Sequence, residues 1–243
     1  MTRFTRSARA SSRSGPSEQR AGRSADRSRL RILITAGPTR EYIDPVRFLS
    51  NDSSGKMGFA LAARAAQRGH SVSLIAGPVA LATPEGVQRV DVTSAAEMLR
   101  AARRAWKDAD LLIMAAAVAD YAPVAPARFK LKKSAHSRVL RLAPTVDVLA
   151  DLSGRRRVGQ CVIGFALEDR AGRMNAAEKL QRKGLDAIVL NRPTAIGADV
   201  SRVELLVRGG RWQAVPAGEK PALAERLLPI FERLARGAST GRA

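Results

Sequence analysis

Twelve residues, Arg47-Phe-Leu-Ser-Asn-Asp-Ser-Ser-Gly-Lys-Met-Gly58, hold the densest set of groups suited to gripping an anion. They follow an apolar run, Ile32-Leu33-Ile34-Thr35-Ala36, and a loop opened by Gly37-Pro38-Thr39. They lead straight into an Ala-rich amphipathic stretch that ends near Gly69. A strand, a polar loop and a glycine-bearing helix start gather free backbone N–H groups at the positive end of a helix dipole, which favours phosphate. The spacing matches neither common fingerprint. No G-x-G-x-x-G follows the strand directly, and Gly55-Lys56 is followed by Met57 rather than Ser or Thr. Asn51 is neutral, donates and accepts, and cannot serve as a general base. Orientation or oxyanion stabilisation is the chemistry open to it.

Further polar groups lie downstream. Lys130-Leu131-Lys132-Lys133 concentrates positive charge in a Pro- and Lys-rich stretch, and Lys179 and Lys183 stand four apart on a helical face. Either set is a solvated face or a seat for an anion such as a triphosphate. Ala115-Ala116-Ala117 would let a ligand approach backbone, or simply pack a helix on the sheet. Asp120 could bind a ribose hydroxyl or a metal, or cap a turn.

These groups need a scaffold, and from residue 30 the chain alternates strand and helix. Strands are expected at Ile32–Ala36, Val72–Ala76, Val87–Val92, Asp110–Ala116, Ile163–Ala166 and Asp186–Asn191. Helices are expected over about 54–68, from a capping box at Ser94 and Glu97 toward Trp106, and over about 221–234 with a kink at Pro229. This is the pattern of a doubly wound, mostly parallel, Rossmann-like α/β sheet. Residues 121–145 and a hairpin over 203–215 break the rhythm. Together they read as an antiparallel arm beside the sheet, pairing between subunits of a homodimer.

The net charge of +20 invites a nucleic-acid reading, but much of it sits in residues 1–29, a Ser- and Arg-rich segment that reads as a disordered basic tail. That composition also fits a transit peptide, though no amphipathic stripe accompanies it. Residues 30–238 then form one domain, with no aromatic platform or basic recognition helix for specific nucleic-acid binding. One cysteine, Cys161, excludes an internal disulfide, and the two histidines, His70 and His136, are too far apart for a metal site; His70 is expected to be solvated. No membrane-length apolar run is present, so a soluble, cytoplasmic protein is expected. A nicotinamide- or flavin-dependent oxidoreductase on the same fold is the alternative, but Ala76-Gly77 ends the second strand without the acid it requires.

The motifs Gly37-Pro-Thr-Arg, Asp44-Pro-Val-Arg through Gly58, Ala115-Ala-Ala-Val-Ala-Asp-Tyr121, Lys130-Leu-Lys-Lys133, Val162-Ile-Gly-Phe-Ala-Leu-Glu168 and Lys179-Leu-Gln-Arg-Lys183 resemble those of phosphopantothenoylcysteine synthetase, the phosphopantothenate–cysteine ligase of coenzyme A synthesis. The resemblance runs over about residues 30–235. It implies a bacterial CTP-dependent ligase without the fused flavin decarboxylase half, so a decarboxylase would be a separate partner. CTP and Mg2+ would convert phosphopantothenate to an acyl-cytidylate, which L-cysteine would then intercept. By resemblance Asp120 holds the nucleotide, with Met114, Ala115, Ala116, Val146, Asp147, Val148, Leu149 and Phe165 around base and ribose. Lys130, Lys179 and Lys183 face the triphosphate, Lys130 with a catalytic role, and Gly37, Ser53, Gly55 and Gly58 bring backbone to phosphate. Asn51, the second catalytic residue, contacts phosphopantothenate with Ala116, Ala117, Asp120 and, from the other subunit, Arg47; no metal ligands are assigned. Two departures from the usual pattern are Asp52 after Asn51, and Pro144-Thr145-Val146-Asp147 in place of an Asn-Pro-Asp run.

Overall fold

The computed structural model describes residues 29–193 and 200–240. The basic segment read as a tail therefore falls outside the described residues, apart from Arg29. Six parallel strands form the body of one sheet: β1 (Arg31–Ala36), β4 (Ser71–Ala76), β5 (Val87–Asp91), β6 (Leu111–Met114), β9 (Cys161–Leu167) and β10 (Ala187–Asn191). Two antiparallel strands, β11 (Val200–Val207) and β12 (Gln213–Glu219), extend it to the order β12-β11-β10-β9-β6-β1-β4-β5. Counting only parallel strands, that is the 3-2-1-4-5-6 order of a doubly wound sheet. Its topological switch lies between β1 and β6.

Alternation of side chains along the strands builds two cores. Ile32, Ile34 and Ala36 face α1 (Lys56–Gln67) and α5 (Lys220–Ser239), whereas Leu33, Ile75 and Leu112 face α2 (Ala95–Trp106), α3 (Val148–Gly154) and α4 (Gly172–Arg182). All four residues of β6 are buried, as a central parallel strand covered on both faces requires. The capping box forms: the Ser94 hydroxyl accepts from the Glu97 amide at 3.3 Å, and the Glu97 carboxylate reaches back to the Thr93 amide at 2.7 Å. Glu41, itself buried, takes the Ala95 amide at 2.8 Å, so three exposed amides at this helix start are satisfied. Helix α5 runs through Pro229.

Two expectations need correction. The 203–215 hairpin does not join residues 121–145 in a separate arm. It continues the main sheet because Val203 and Leu205 turn inward onto the α5 core while β11 pairs with β10. Residues 121–145 instead close their own ribbon, β7 (Tyr121–Pro123) with β8 (Leu142–Pro144), beside a second ribbon, β2 (Arg40–Tyr42) with β3 (Phe48–Ser50). His70 is buried rather than solvated. Its Nδ1 accepts from the Leu30 amide at 3.2 Å and its Nε2 meets Glu232 at 2.9 Å, with Arg68 also gripping Glu232.

Candidate active site

The loops after β1 and β6 run side by side at the switch point. Ala117 donates its amide to the Gly37 carbonyl at 2.9 Å, and Thr39 returns a bond to Ala117 at 3.3 Å. The Thr39 hydroxyl, fully buried, accepts from the Ala119 amide at 2.9 Å. Backbone therefore approaches backbone throughout this corner. Gly37 and Gly55 both have positive φ, 75° and 73°, and a Cβ on Gly55 would lie 3.3 Å from the Gly37 Cα. A Cβ on Gly77 would come within 1.7 Å of the Pro38 carbonyl oxygen. The end of β4, where a dinucleotide fold places its ribose-binding acid, is thus filled by close backbone packing. Gly58 lies inside α1, and its Cβ would stand 2.5 Å from the Ala36 side chain. Its first duty is helix–strand contact, and it brings the start of α1 down onto β1.

Ser53 and Gly55 sit at that helix start, which carries no side-chain cap. The amides there are the anion-receptive feature expected from the sequence. Asn51 is drawn across to the β6 loop, its Nδ2 donating to the carbonyls of Ala117 at 3.2 Å and Val118 at 3.0 Å. Ser50 supports this approach, its hydroxyl donating to the Thr39 carbonyl at 2.8 Å. The Asn51 Oδ1 has no hydrogen-bond partner among the described residues and stands open to a donor.

A second set of groups meets the same β6 loop from the other side. The Thr145 amide donates to the Asp120 carbonyl at 2.8 Å, and the Thr145 hydroxyl donates to Ala119. Two residues on, Asp147 caps α3 through the Ala150 amide and pairs with Lys183 Nζ at 2.6 Å. Burial pushes the Asp147 carboxyl up, but the Lys183 and Ala150 bonds outweigh it and hold the group below its usual range. Lys179 Nζ donates to the Phe165 carbonyl at 2.9 Å. Burial first, then the neighbouring Lys183, pushes the Lys179 ammonium down, against the pull of Glu168, Asp147 and Asp120. A buried lysine held at reduced proton affinity gains from an incoming anion.

The structure therefore gathers Gly37, Asn51, Ser53, Gly55 and Ala115 to Ala117 on one side, and Asp120, Asp147, Phe165, Lys179 and Lys183 on the other. Met114, Val148 and Leu149 are buried in the core, so a ligand can reach only their backbone. Val146 is half-buried. Lys130 is exposed on the connection between β7 and β8. Arg47 is engaged in its own chain, by Asp44 and by the Leu131 carbonyl. Sequence reasoning passed over Thr39 and Asp44, both buried and both knitting the loops together. The Asp-Pro-Val-Arg run is a turn signature that marked Asp44 for this duty.

Two surface grooves, of about 820 and 530 Å3, flank β10–β12 and the start of α4. Neither is lined by any of the converging groups above. Among the described residues no group of three or more His, Cys, Asp or Glu could hold a metal ion, and no helix is long and apolar enough to cross a membrane.

A cysteine/cysteine sulfinic acid decarboxylase from an unknown prokaryotic organism is 48% identical over 162 residues, covering 66% of this chain and 45% of the relative. The coenzyme A biosynthesis bifunctional protein CoaBC of Haemophilus influenzae is 40% identical over 207 residues, covering 84% of this chain and 52% of that protein. The chain thus spans about half the length of the curated relatives it matches. The crystal structure of the C-terminal domain of a CoaBC protein superposes with a TM-score of 0.72 at 38% identity, covering 86% of this chain and 97% of that one. With a family model matched along residues 28–234, the chain belongs to the family of the DNA/pantothenate metabolism flavoprotein C-terminal domain.

Proposed function

We propose that this chain joins phosphopantothenate to L-cysteine in coenzyme A biosynthesis, using CTP. The observation that carries the reading is the convergence at one switch point of an anion-receptive helix start, Asn51 and the Lys179–Lys183 pair. A nucleoside triphosphate and an acidic substrate share that crevice in this reading, the triphosphate lying toward the lysines and the acyl group toward Asn51. The relatives named for coenzyme A biosynthesis support the pathway. The match to the decarboxylase covers less than half of that protein, so its named activity is not carried over.

In the first step a carboxylate oxygen of phosphopantothenate attacks the α-phosphorus of CTP, and pyrophosphate leaves. In the second the cysteine amine attacks the acyl carbon, CMP departs and the amine proton passes to solvent. A free carboxylate is a poor acyl donor, and cytidylylation supplies the leaving group. Lys179 and Lys183 neutralise the triphosphate, Lys130 offsets charge that grows during displacement, and Asn51 orients the activated acyl group for the amine. Mg2+ would travel on the triphosphate, with the exposed Asp120 the carboxylate able to share it, and would supply further neutralisation of phosphate charge. The preference for CTP over ATP and a cytoplasmic setting belong to the same reading.

A homodimer completes it. Among the described residues, nine of the fourteen exposed large apolar side chains lie on the two ribbons and the β7–β8 connection, among them Tyr42, Val46, Phe48, Tyr121 and Phe129. Large exposed apolar patches on soluble proteins mark interaction sites. A second copy placed there would bring Arg47 to the partner's crevice. The test is the purified chain with phosphopantothenate, CTP, Mg2+ and L-cysteine, read by mass spectrometry. Equal amounts of phosphopantothenoylcysteine and CMP are expected, and no amide after full conversion conditions would refute the assignment.

A further inference from the structure

Between β7 and β8 the chain makes an excursion over residues 124–141 that contains neither helix nor strand. Connections of that length in a compact domain are uncommon and tend to carry function. Lys130 stands on this one, exposed, and no side-chain hydrogen bond or ion pair among the described residues fixes its place. The next residue is fixed. The Leu131 amide donates to Asp44 Oδ2 at 3.1 Å, and the Leu131 carbonyl accepts from Arg47 Nη2 at 2.7 Å. The Ala127 amide adds a bond to the Ile43 carbonyl at 2.8 Å.

Asp44 is the centre of this clasp. Its side chain is fully buried and accepts from five donors: the Val46 and Arg47 amides on Oδ1, and Arg47 Nε, Arg47 Nη2 and the Leu131 amide on Oδ2. The two oxygens divide the labour. Oδ1 closes the local turn of residues 44–47, while Oδ2 reaches 87 positions along the chain to Leu131. The Arg47 guanidinium holds the Asp44 carboxyl far below the usual carboxylate range, with burial opposing and the three amides assisting.

We infer that Asp44 is a positioning residue of the reaction: its Oδ2, with Arg47, pins the backbone at Leu131 and so sets where Lys130 stands. This rests on the reading of Lys130 as the group that offsets triphosphate charge. It also ties the Lys130 excursion to the loop that carries Arg47.

Asp44→Asn separates the two duties. The amide keeps an acceptor for the Val46 and Arg47 amides, but its NH2 takes the place of Oδ2 and faces Leu131 and the guanidinium, donor against donor. Trypsin cleavage after Lys130, Lys132 and Lys133, mapped by mass spectrometry, should accelerate about tenfold or more, with the melting temperature within a few degrees of wild type. The kcat for pyrophosphate release should fall about tenfold while KM for CTP stays within about twofold. With phosphopantothenate saturating, so that a loosened Arg47 does not enter, the rate of the Asp44→Asn/Lys130→Gln double variant should stay within about twofold of Lys130→Gln alone, because both changes then remove one effect. Additive losses, or an unchanged cleavage pattern, would overturn the inference. A wild-type protein that releases no pyrophosphate would instead sink the ligase reading, while the cleavage result still judges the clasp. Should Asp44→Asn fail to fold, hydrogen exchange on the wild-type chain decides: a protected Leu131 amide amid exchanging neighbours supports the clasp, and an unprotected one refutes it.

Discussion

Removing Lys183 should cost more than one positive charge, because its loss uncovers Asp147. The ammonium lies 2.9 and 2.6 Å from the two Asp147 oxygens, so the pair presents little net charge. In Lys183→Met the carboxylate, half exposed, is left facing a triphosphate. Two unit charges about 6 Å apart at an effective dielectric of about 20 repel by about 2.8 kcal/mol, and solvent screening of an exposed group reduces that to about 1–2 kcal/mol. Adding Asp147→Asn to Lys183→Met should therefore recover about 5- to 30-fold in KM for CTP. Asn is as good a helix cap as Asp, so the start of α3 survives and the comparison isolates charge. In the wild-type background the same Asp147→Asn frees Lys183, and KM should fall or hold. The assay is initial-rate pyrophosphate release at varied CTP. Asp147→Asn that fails to rescue Lys183→Met, with both proteins equally folded, would show that the two residues do not act as a unit on the nucleotide.

Three further outcomes follow from the same geometry. Asn51→Asp places a carboxylate beside the Ala117 and Val118 carbonyls and near an anionic intermediate, so acyl-cytidylate should accumulate on quenching; equal loss of pyrophosphate and amide would argue against a late role for Asn51. Mixing inactive Arg47→Ala and Lys130→Ala chains should restore part of the activity, since one site of each mixed dimer keeps both residues; a fully active monomer by light scattering would defeat the shared site. Burial raises the Glu232 carboxyl, but the Arg68 and His70 bonds outweigh it and leave it depressed, so its stabilisation is present above the ordinary Glu pKa and lost as pH falls through the lower folded value. Glu232→Ala should cost about 3 kcal/mol at neutral pH, less at strongly acid pH, and a pH-independent difference in urea melts would contradict this.

The parallel core was legible because buried strands announce themselves as short apolar runs: Leu111 to Met114 can be little else. The Ser94–Glu97 cap was legible because its chemistry is local. The hairpin was visible as a hairpin, but which sheet edge it joins is decided by Val203 and Leu205 packing on α5, a contact no local pattern encodes. The ribbons β2–β3 and β7–β8 have strands of three residues, too short to carry a period. His70 looked like a surface turn residue because its partner Glu232 is 162 positions away. Within the site, residue types marked Asn51, Asp120 and the lysines. Their mutual placement depends on buried hydroxyl and carboxylate links, Thr39 to Ala119 and Asp44 to Leu131, that span 80 and 87 positions.

The central claim is that a carboxylate is activated by a nucleotide before cysteine is needed. Pyrophosphate release measured with phosphopantothenate and CTP, in the absence of cysteine, tests it most directly. A burst matching the number of active sites, absent with ATP and converted to steady turnover by cysteine, is the result expected. Pyrophosphate release that needs cysteine from the first turnover, or that proceeds without phosphopantothenate, would contradict it.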